Sequence, residues 1–112
     1  MCRAMKVLCV ATDAESLTAL RLATTAAEWE LTPGATNETD ALGLVDAERP
    51  QAVVAFGPFE RLVELVRERF PAMRIVTDRE APGASAVAAS HDEVRGLLRA
   101  LARPGGPILE ST

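Results

Sequence analysis

The chain has 112 residues, of which 48% are hydrophobic and 25% charged, and its formal net charge is −4. This length fits one domain with a hydrophobic core, and the balance of apolar and charged residues is that of a globular protein rather than a disordered one. A net negative charge argues against binding to nucleic-acid phosphates, and no apolar run approaches the ~20 residues of a membrane-spanning helix. We therefore expect a globular protein without nucleic-acid or membrane partners.

The cysteines indicate a reducing compartment. Cys9 lies inside an apolar run and is expected to be a buried thiol rather than half of a disulfide with Cys2. Residues 1–10 are too short and too broken for a signal peptide. No glycine-rich dinucleotide or phosphate-loop pattern occurs. We expect a cytoplasmic protein without a cofactor.

The first half of the chain alternates between strand and helix patterns. Residues 7–10 are an apolar run of strand length, followed by Thr12 and Asp13, which suit a helix N-cap. Leucines and alanines at helical spacing then predict a first helix over residues 14–27. Residues 29–32 predict a short strand that ends at a Pro-Gly turn, and residues 37–48 predict a second helix that stops before Pro50.

The second half repeats the alternation. Residues 52–56 form another apolar strand. A third helix begins near Pro58 and is expected to bury an apolar row from Phe59 to Phe70. Residues 74–77 predict a fourth strand and residues 85–89 a weak fifth. Ser90 and Glu93 match a capping box that opens the last helix. A Pro-Gly-Gly-Pro run after residue 103 then divides the chain into a domain over residues 1–103 and a flexible tail over residues 104–112.

Five strands that alternate with helices predict an α/β fold with a parallel sheet covered on both faces. One connection is unusually short. Only residues 78–84 separate the fourth and fifth strands, whereas a parallel crossover usually takes a dozen or more residues and a helix. We expect an extended loop there, with the fourth helix of the pattern missing or vestigial.

Three short segments resemble those of response-regulator receiver domains. Residues 10–17 (VATDAESL) resemble the family's Val-Asp-Asp-Glu-Pro-Glu segment, residues 49–56 resemble the run into its phosphoacceptor strand, and residues 83–90 resemble the segment that leads to its switch lysine. The resemblance covers residues 6–102 and implies a flavodoxin-like, five-stranded parallel sheet.

The resemblance also implies that the phosphorylation chemistry is missing. The family's paired metal-binding acids fall on Ala11 and Thr12, the phosphoacceptor aspartate on Phe56 and the lysine on Ser90, while Thr77 keeps the expected hydroxyl. The chain's single lysine, at position 6, opens the first strand. Aspartyl phosphorylation needs a carboxylate nucleophile, and Mg²⁺ needs carboxylate ligands. The chain is therefore interpreted as a degenerate receiver, or pseudo-receiver, that is not an enzyme. Phe56 is expected to fill the vacated acidic pocket and to contact Leu62 of the third helix.

Few residues remain as candidates for other chemistry. Asp13, Gly57 and Asp78 follow strands at the edge where open α/β sheets bind ligands, although helix capping, turn geometry and solvation explain them as well. His91, the single histidine, reads as a surface residue of the last helix. No acid–base constellation emerges.

The last helix carries a possible protein-contact surface. Arg95, Arg99 and Arg103 form a basic stripe beside Val94, Leu98 and Leu101, and an absent fourth helix is expected to expose this aliphatic row. A solvated helix face is the alternative interpretation. The functional hypothesis is a phosphorylation-independent regulatory module that binds a protein partner and can form a homodimer. The alternative hypothesis is a sensor that binds a small ligand at the carboxyl edge of the sheet.

Overall fold

Five parallel strands form the centre of the fold. The computed structural model describes residues 5–26, 29–80 and 83–102, with side chains up to residue 100. The elements in chain order are β1 (Met5–Val10), α1 (Ala14–Thr24), β2 (Trp29–Leu31), α2 (Glu38–Glu48), β3 (Ala52–Ala55), α3 (Glu60–Arg69), β4 (Arg74–Thr77), β5 (Ala86–Val87) and α4 (His91–Ala102). The strand order is β2-β1-β3-β4-β5, and every neighbouring pair is parallel. The predicted flavodoxin-like fold class is confirmed.

The central strands are buried on both faces of the sheet. Because strand side chains alternate, Leu8 and Val10 pack with α2 and α3 on one face, and Val7 and Cys9 pack with α1 and α4 on the other. All four side chains are at most 1% exposed. This double burial explains why the strands appear in the sequence as continuous apolar runs rather than alternating ones. None of the helices in the described part of the chain is long and apolar enough to cross a membrane.

Local sequence signals set where the helices begin. The Asp13 carboxylate accepts a hydrogen bond from the Ser16 amide at 2.8 Å, which confirms the predicted N-cap of α1. At the start of α4 the Glu93 carboxylate accepts from the Ala89 amide at 2.9 Å, one residue before Ser90, so this bond differs from that of the predicted capping box. α1 ends at Thr24, earlier than predicted, where the Thr24 carbonyl accepts from the Trp29 indole at 2.8 Å.

The connection between β4 and β5 corrects one expectation. The described residues form four helices, and the fourth in chain order is the full-length α4, so the chain does have a fourth helix. What differs from the usual alternation is the β4–β5 connection, whose residues 78–80 and 83–85 are not helical. The predicted tail at residues 104–112 and the domain boundary at residue 103 lie outside the described residues.

An arginine from α3 holds the short connection in place. The Arg67 guanidinium donates to the Gly83 carbonyl through Nε at 3.0 Å and through Nη2 at 2.7 Å. It also donates to the Ser85 hydroxyl oxygen at 3.1 Å and to the Pro71 carbonyl. The bonds to Gly83 and Ser85 anchor the β4–β5 connection against α3.

The expected contact row on the last helix is wrong for two of its residues. Val94 and Leu98 are 0% exposed, because α4 packs with α1 on the opposite face of the sheet from the short connection. A different aliphatic side chain is exposed beside the β4–β5 connection, whose described residues form no helix: Val87 is 41% exposed. Arg95 and Arg99 are exposed, and the Arg99 guanidinium lies 5.8 Å from the centre of the Trp29 ring. The side chain of Leu101, the last member of the row, lies outside the described part.

Replacing Arg67 with alanine should destabilise the protein. The variant loses a set of charge-assisted hydrogen bonds, which we expect to lower the free energy of unfolding by about 1–2 kcal/mol, a value reduced for partial solvent exposure. Arg69→Ala is the matched control on the same helix, since Arg69 is exposed and makes a surface ion pair with Asp46 at 3.6 Å. Urea unfolding of both variants measures the difference. Equal losses would show that Arg67 does not anchor the connection.

Candidate functional site

A groove of about 440 Å³ lies at the carboxyl edge of the sheet. The loops that follow β1, β3 and β4 meet there with the first residue of α4, because parallel strands bring their carboxyl ends to one edge. Its lining residues are Ala11, Thr12, Glu15, Ser16, Ala19, Phe56, Gly57, Pro58, Asp78, Arg79 and His91. Open parallel α/β sheets bind their ligands at this edge, which makes the groove the candidate site.

An aromatic pair forms one wall of the groove. Phe56 follows β3 directly and is half-buried, and its ring centroid lies 5.0 Å from that of His91 at an interplanar angle of 48°. The expected contact with Leu62 is wrong. Since side chains alternate along the chain after β3, Phe56 packs on the α1/α4 face, whereas Leu62 packs on the α2/α3 face.

Gly57 occupies a position that only glycine fits. Its φ is +132°, which L-residues with a side chain rarely adopt. A Cβ at this position would lie 2.7 Å from Cγ2 of Thr12 and 3.0 Å from the Phe59 ring. The close approach brings the loops after β1 and β3 together and points to a geometric role for this glycine.

A carboxylate joins the loops that follow β3 and β4. Oδ1 of Asp78 accepts from the Gly57 amide at 3.1 Å and from Nε of Arg79 at 3.1 Å, and Oδ2 accepts from Nη2 of Arg79 at 3.3 Å. Burial raises the pKa of Asp78, but the hydrogen bonds from Arg79 and from the Gly57 amide outweigh it and leave that pKa below its ordinary value. Asp78 is therefore an ionised, hydrogen-bonded carboxylate in the wall of the groove.

Other residues singled out in the sequence face elsewhere. Asp13 caps α1, and its pKa is lowered by the hydrogen bond from the Ser16 amide. The Thr77 hydroxyl is buried and donates to the Arg79 carbonyl. Ser90 is exposed and lines a neighbouring depression rather than the groove. Of the positions that the receiver resemblance marks as degenerate, the groove brings together Ala11, Thr12 and Phe56.

Sequence reasoning missed four polar residues of the groove, namely Glu15, Ser16, Arg79 and His91. Arg79 and His91 line it beside Ser16, which also donates its amide to the α1 cap. The one signal for His91 is its position directly after Ser90 in the receiver-like segment. No sequence signal marks Arg79. It contributes to the groove by donating to the Asp78 carboxylate, which also accepts from the distant Gly57 amide, and this arrangement exists only in the folded chain. Among the described residues, no group of three or more His, Cys, Asp or Glu side chains is placed to hold a metal ion.

The buried thiol lies away from this edge. Cys9 is 1% exposed and is not in a disulfide, which confirms the sequence expectation. Burial raises its pKa to about 11, although a hydrogen bond with Thr24 and the charge of Arg21 oppose the rise. Since the thiolate is the reactive form, Cys9 is a neutral core residue at physiological pH.

Comparisons with known proteins agree with the fold. No protein-family model and no curated protein sequence matches the chain. The structure is similar to the response regulator CheY4 of Vibrio cholerae, with a TM-score of 0.70 and 17% identity over 88% of this chain and 99% of that one. It is also similar to HP1043, an orphan response regulator of H. pylori (TM-score 0.71, 13% identity, 88% and 97% covered).

A third similar structure is the signal receiver domain of an HD domain-containing protein from Pseudomonas fluorescens Pf-5, with a TM-score of 0.70 and 17% identity over 87% of this chain and 93% of that domain. The chain has the receiver fold. At these identities the likeness concerns the fold, so the receiver-like chain's function has to be argued from its own residues.

Phe56→Ala should destabilise the receiver-like domain moderately. A fully buried phenylalanine costs about 3–5 kcal/mol when truncated, and we expect about 1–3 kcal/mol here because the ring is half-buried. The NMR signals of the His91 imidazole should shift in the same variant. Phe56→Leu is the control that keeps most of the apolar volume and should recover most of the stability in urea melts. A negligible loss together with unshifted His91 signals would contradict the ring contact.

The charge of Asp78 should stabilise the fold at neutral pH and not in acid. Its pKa in the folded state lies below the ordinary value of 3.8, so the stabilisation is present above that value and is lost as the pH falls through the folded pKa. Asp78→Asn keeps an oxygen acceptor for the Gly57 amide and removes the charge. The difference in unfolding free energy between wild type and Asp78→Asn should therefore be larger at pH 7 than at pH 3. A difference that is independent of pH would show that the charge contributes nothing.

Proposed function

We propose that this protein is a non-enzymatic signalling or regulatory module that acts by protein–protein interaction without being phosphorylated. The observation that carries the proposal is the position of Phe56. It stands directly after β3, where the receiver resemblance places the nucleophilic aspartate, and its ring is packed against His91. A phenyl ring has no lone pair with which to accept a phosphoryl group.

The neighbouring groups support the same conclusion. Ala11 and Thr12 line the groove without a carboxylate, although the resemblance places the paired acids there. The carboxylate of Asp13 is engaged at the N-terminus of α1, and that of Asp78 is engaged by Arg79 and Gly57. Glu15, in the first turn of α1, is then the single remaining carboxylate of the described lining. Mg²⁺ binds phosphate through one or two available carboxylates. The proposal therefore includes four points: the chain is a degenerate receiver, it is not an enzyme, it uses no cofactor, and it is cytoplasmic.

The β5 edge is the surface on which we propose that a protein partner binds. β5 ends the sheet, and Val87 is 41% exposed where the β4–β5 connection has no helix in its described residues. Arg95 is exposed on the adjacent α4. The proposal includes a homodimer, which would use the β5 edge and the outer face of α4 rather than the buried Val94 and Leu98.

A sensor of small molecules is the second candidate function. The groove of about 440 Å³ combines the Phe56 ring with polar side chains of Thr12, Arg79 and His91, the mixture that small-ligand sites use. A thermal-shift screen with nucleotides and metabolites separates this candidate from the first. A ligand at a hundred times its Kd would stabilise the protein by about 2.7 kcal/mol.

Phosphodonors should leave the protein unchanged. Incubation with acetyl phosphate, or with beryllofluoride, in the presence of Mg²⁺ is expected to produce no mass increase and no shift in the ¹H–¹⁵N NMR spectrum, because Phe56 replaces the nucleophile. A receiver domain with its acids intact, treated in parallel, confirms that the reagents are active. An aspartyl-phosphate adduct on any residue would overturn the proposed function.

A further inference from the structure

We infer that Asp78 is a built-in occupant of an oxyanion site, so that its carboxylate takes the place of a phosphate-like ligand between the loops that follow β3 and β4. The inference rests on the proposed function and deepens it. It specifies how the edge of the sheet is held in one state without phosphorylation.

The geometry around Asp78 is that of a bound anion. One oxygen accepts two hydrogen bonds, from the Gly57 amide and from Nε of Arg79, each at 3.1 Å. The other oxygen accepts from Nη2 of Arg79 at 3.3 Å. A backbone amide together with a guanidinium fork is a donor set that binds carboxylate and phosphate oxygens alike.

The hydrogen bond to Gly57 separates this arrangement from an ordinary surface ion pair. Asp78 and Arg79 are neighbours in sequence, so their ion pair alone would not connect separate segments of the chain. Gly57 belongs to a different loop, directly after Phe56, and its backbone amide donates to the carboxylate. The Asp78 side chain is also the better shielded partner, 23% exposed against 50% for Arg79. The carboxylate therefore bridges two loops in a partly desolvated position.

Occupancy by an internal carboxylate has a direct chemical consequence. The amide and the guanidinium are already engaged, and the fixed negative charge repels a second anion at contact distance. Wild-type protein should therefore reject small oxyanions at this edge. Removal of the carboxylate should leave the Gly57 amide and the Arg79 guanidinium open to an external anion, with Glu15 as the one carboxylate that remains among the described lining residues.

Asp78→Ala should convert the edge into a phosphate site. We expect inorganic phosphate to shift the Gly57 amide signal of Asp78→Ala saturably in ¹H–¹⁵N spectra, with a Kd at least about tenfold below that of wild type, which corresponds to about 1.4 kcal/mol. Sodium chloride at matched ionic strength is the control for non-specific screening. Hydrogen exchange at the Gly57 amide should become faster in Asp78→Ala and slow again when phosphate is added.

Two further variants keep the test decisive. Asp78→Asn retains an oxygen acceptor for the Gly57 amide, so its phosphate affinity should stay below that of Asp78→Ala. The double variant Asp78→Ala/Arg79→Ala lacks the guanidinium and should lose the response to phosphate. Asp78→Ser replaces Asp78→Ala if the alanine variant does not fold.

Two results would overturn the inference. One is phosphate binding by wild type with the affinity of Asp78→Ala, and the other is a folded Asp78→Ala that does not respond to phosphate. Both concern reversible binding of phosphate at Gly57. The proposed function fails instead by a covalent adduct from a phosphodonor, so the two failures are distinguishable by intact mass.

Discussion

Burial of β1 and β3 on both faces is the constraint on which the rest of the structure depends. Their side chains alternate between two apolar clusters, one closed by α2 and α3 and the other by α1 and α4. A strand buried on both sides needs helices on both sides, and parallel connections through those helices bring every strand's carboxyl end to the same edge. The groove at that edge is thus a consequence of how the core is closed.

Two kinds of interaction stabilise that edge of the sheet: apolar packing and hydrogen bonds to a carboxylate. The Phe56 ring belongs to the α1/α4 cluster and contributes apolar burial at the position where the receiver resemblance places a carboxylate. The amide of the next residue, Gly57, donates a hydrogen bond to the Asp78 carboxylate on the neighbouring loop. Phe56 thus contributes to the apolar core, whereas its neighbour Gly57 joins two loops through a hydrogen bond to a partly buried carboxylate.

The side chain of Arg67 fixes the short β4–β5 connection to the domain. Arg67 reaches from α3 to the Gly83 carbonyl and the Ser85 hydroxyl oxygen, and so satisfies polar groups of a loop that has no helix in its described residues. The consequence for the surface is local. Val87 becomes exposed on the α3 side, while Leu98 stays buried on the other side because α4 packs independently of the connection.

Much of the fold was readable in the sequence because its determinants are local. Apolar runs at residues 7–10 and 52–56 predicted the buried strands, and Asp13 predicted the start of α1 from a bond that spans three residues. The receiver resemblance placed Ala11, Thr12 and Phe56 together at one edge, and the sheet order brings them there. These signals depend on residues close in sequence or on a strand order common to the fold.

The sequence by itself determined the element types, the parallel sheet and the lack of a carboxylate at position 56. Only the tertiary structure decided that Phe56 faces His91 rather than Leu62, that Asp78 bridges to Gly57, and that Arg67 holds the β4–β5 connection. Each of these contacts joins residues far apart in the chain. Each depends on strand register and on which face of the sheet a side chain occupies, and a one-residue change of register reverses that face.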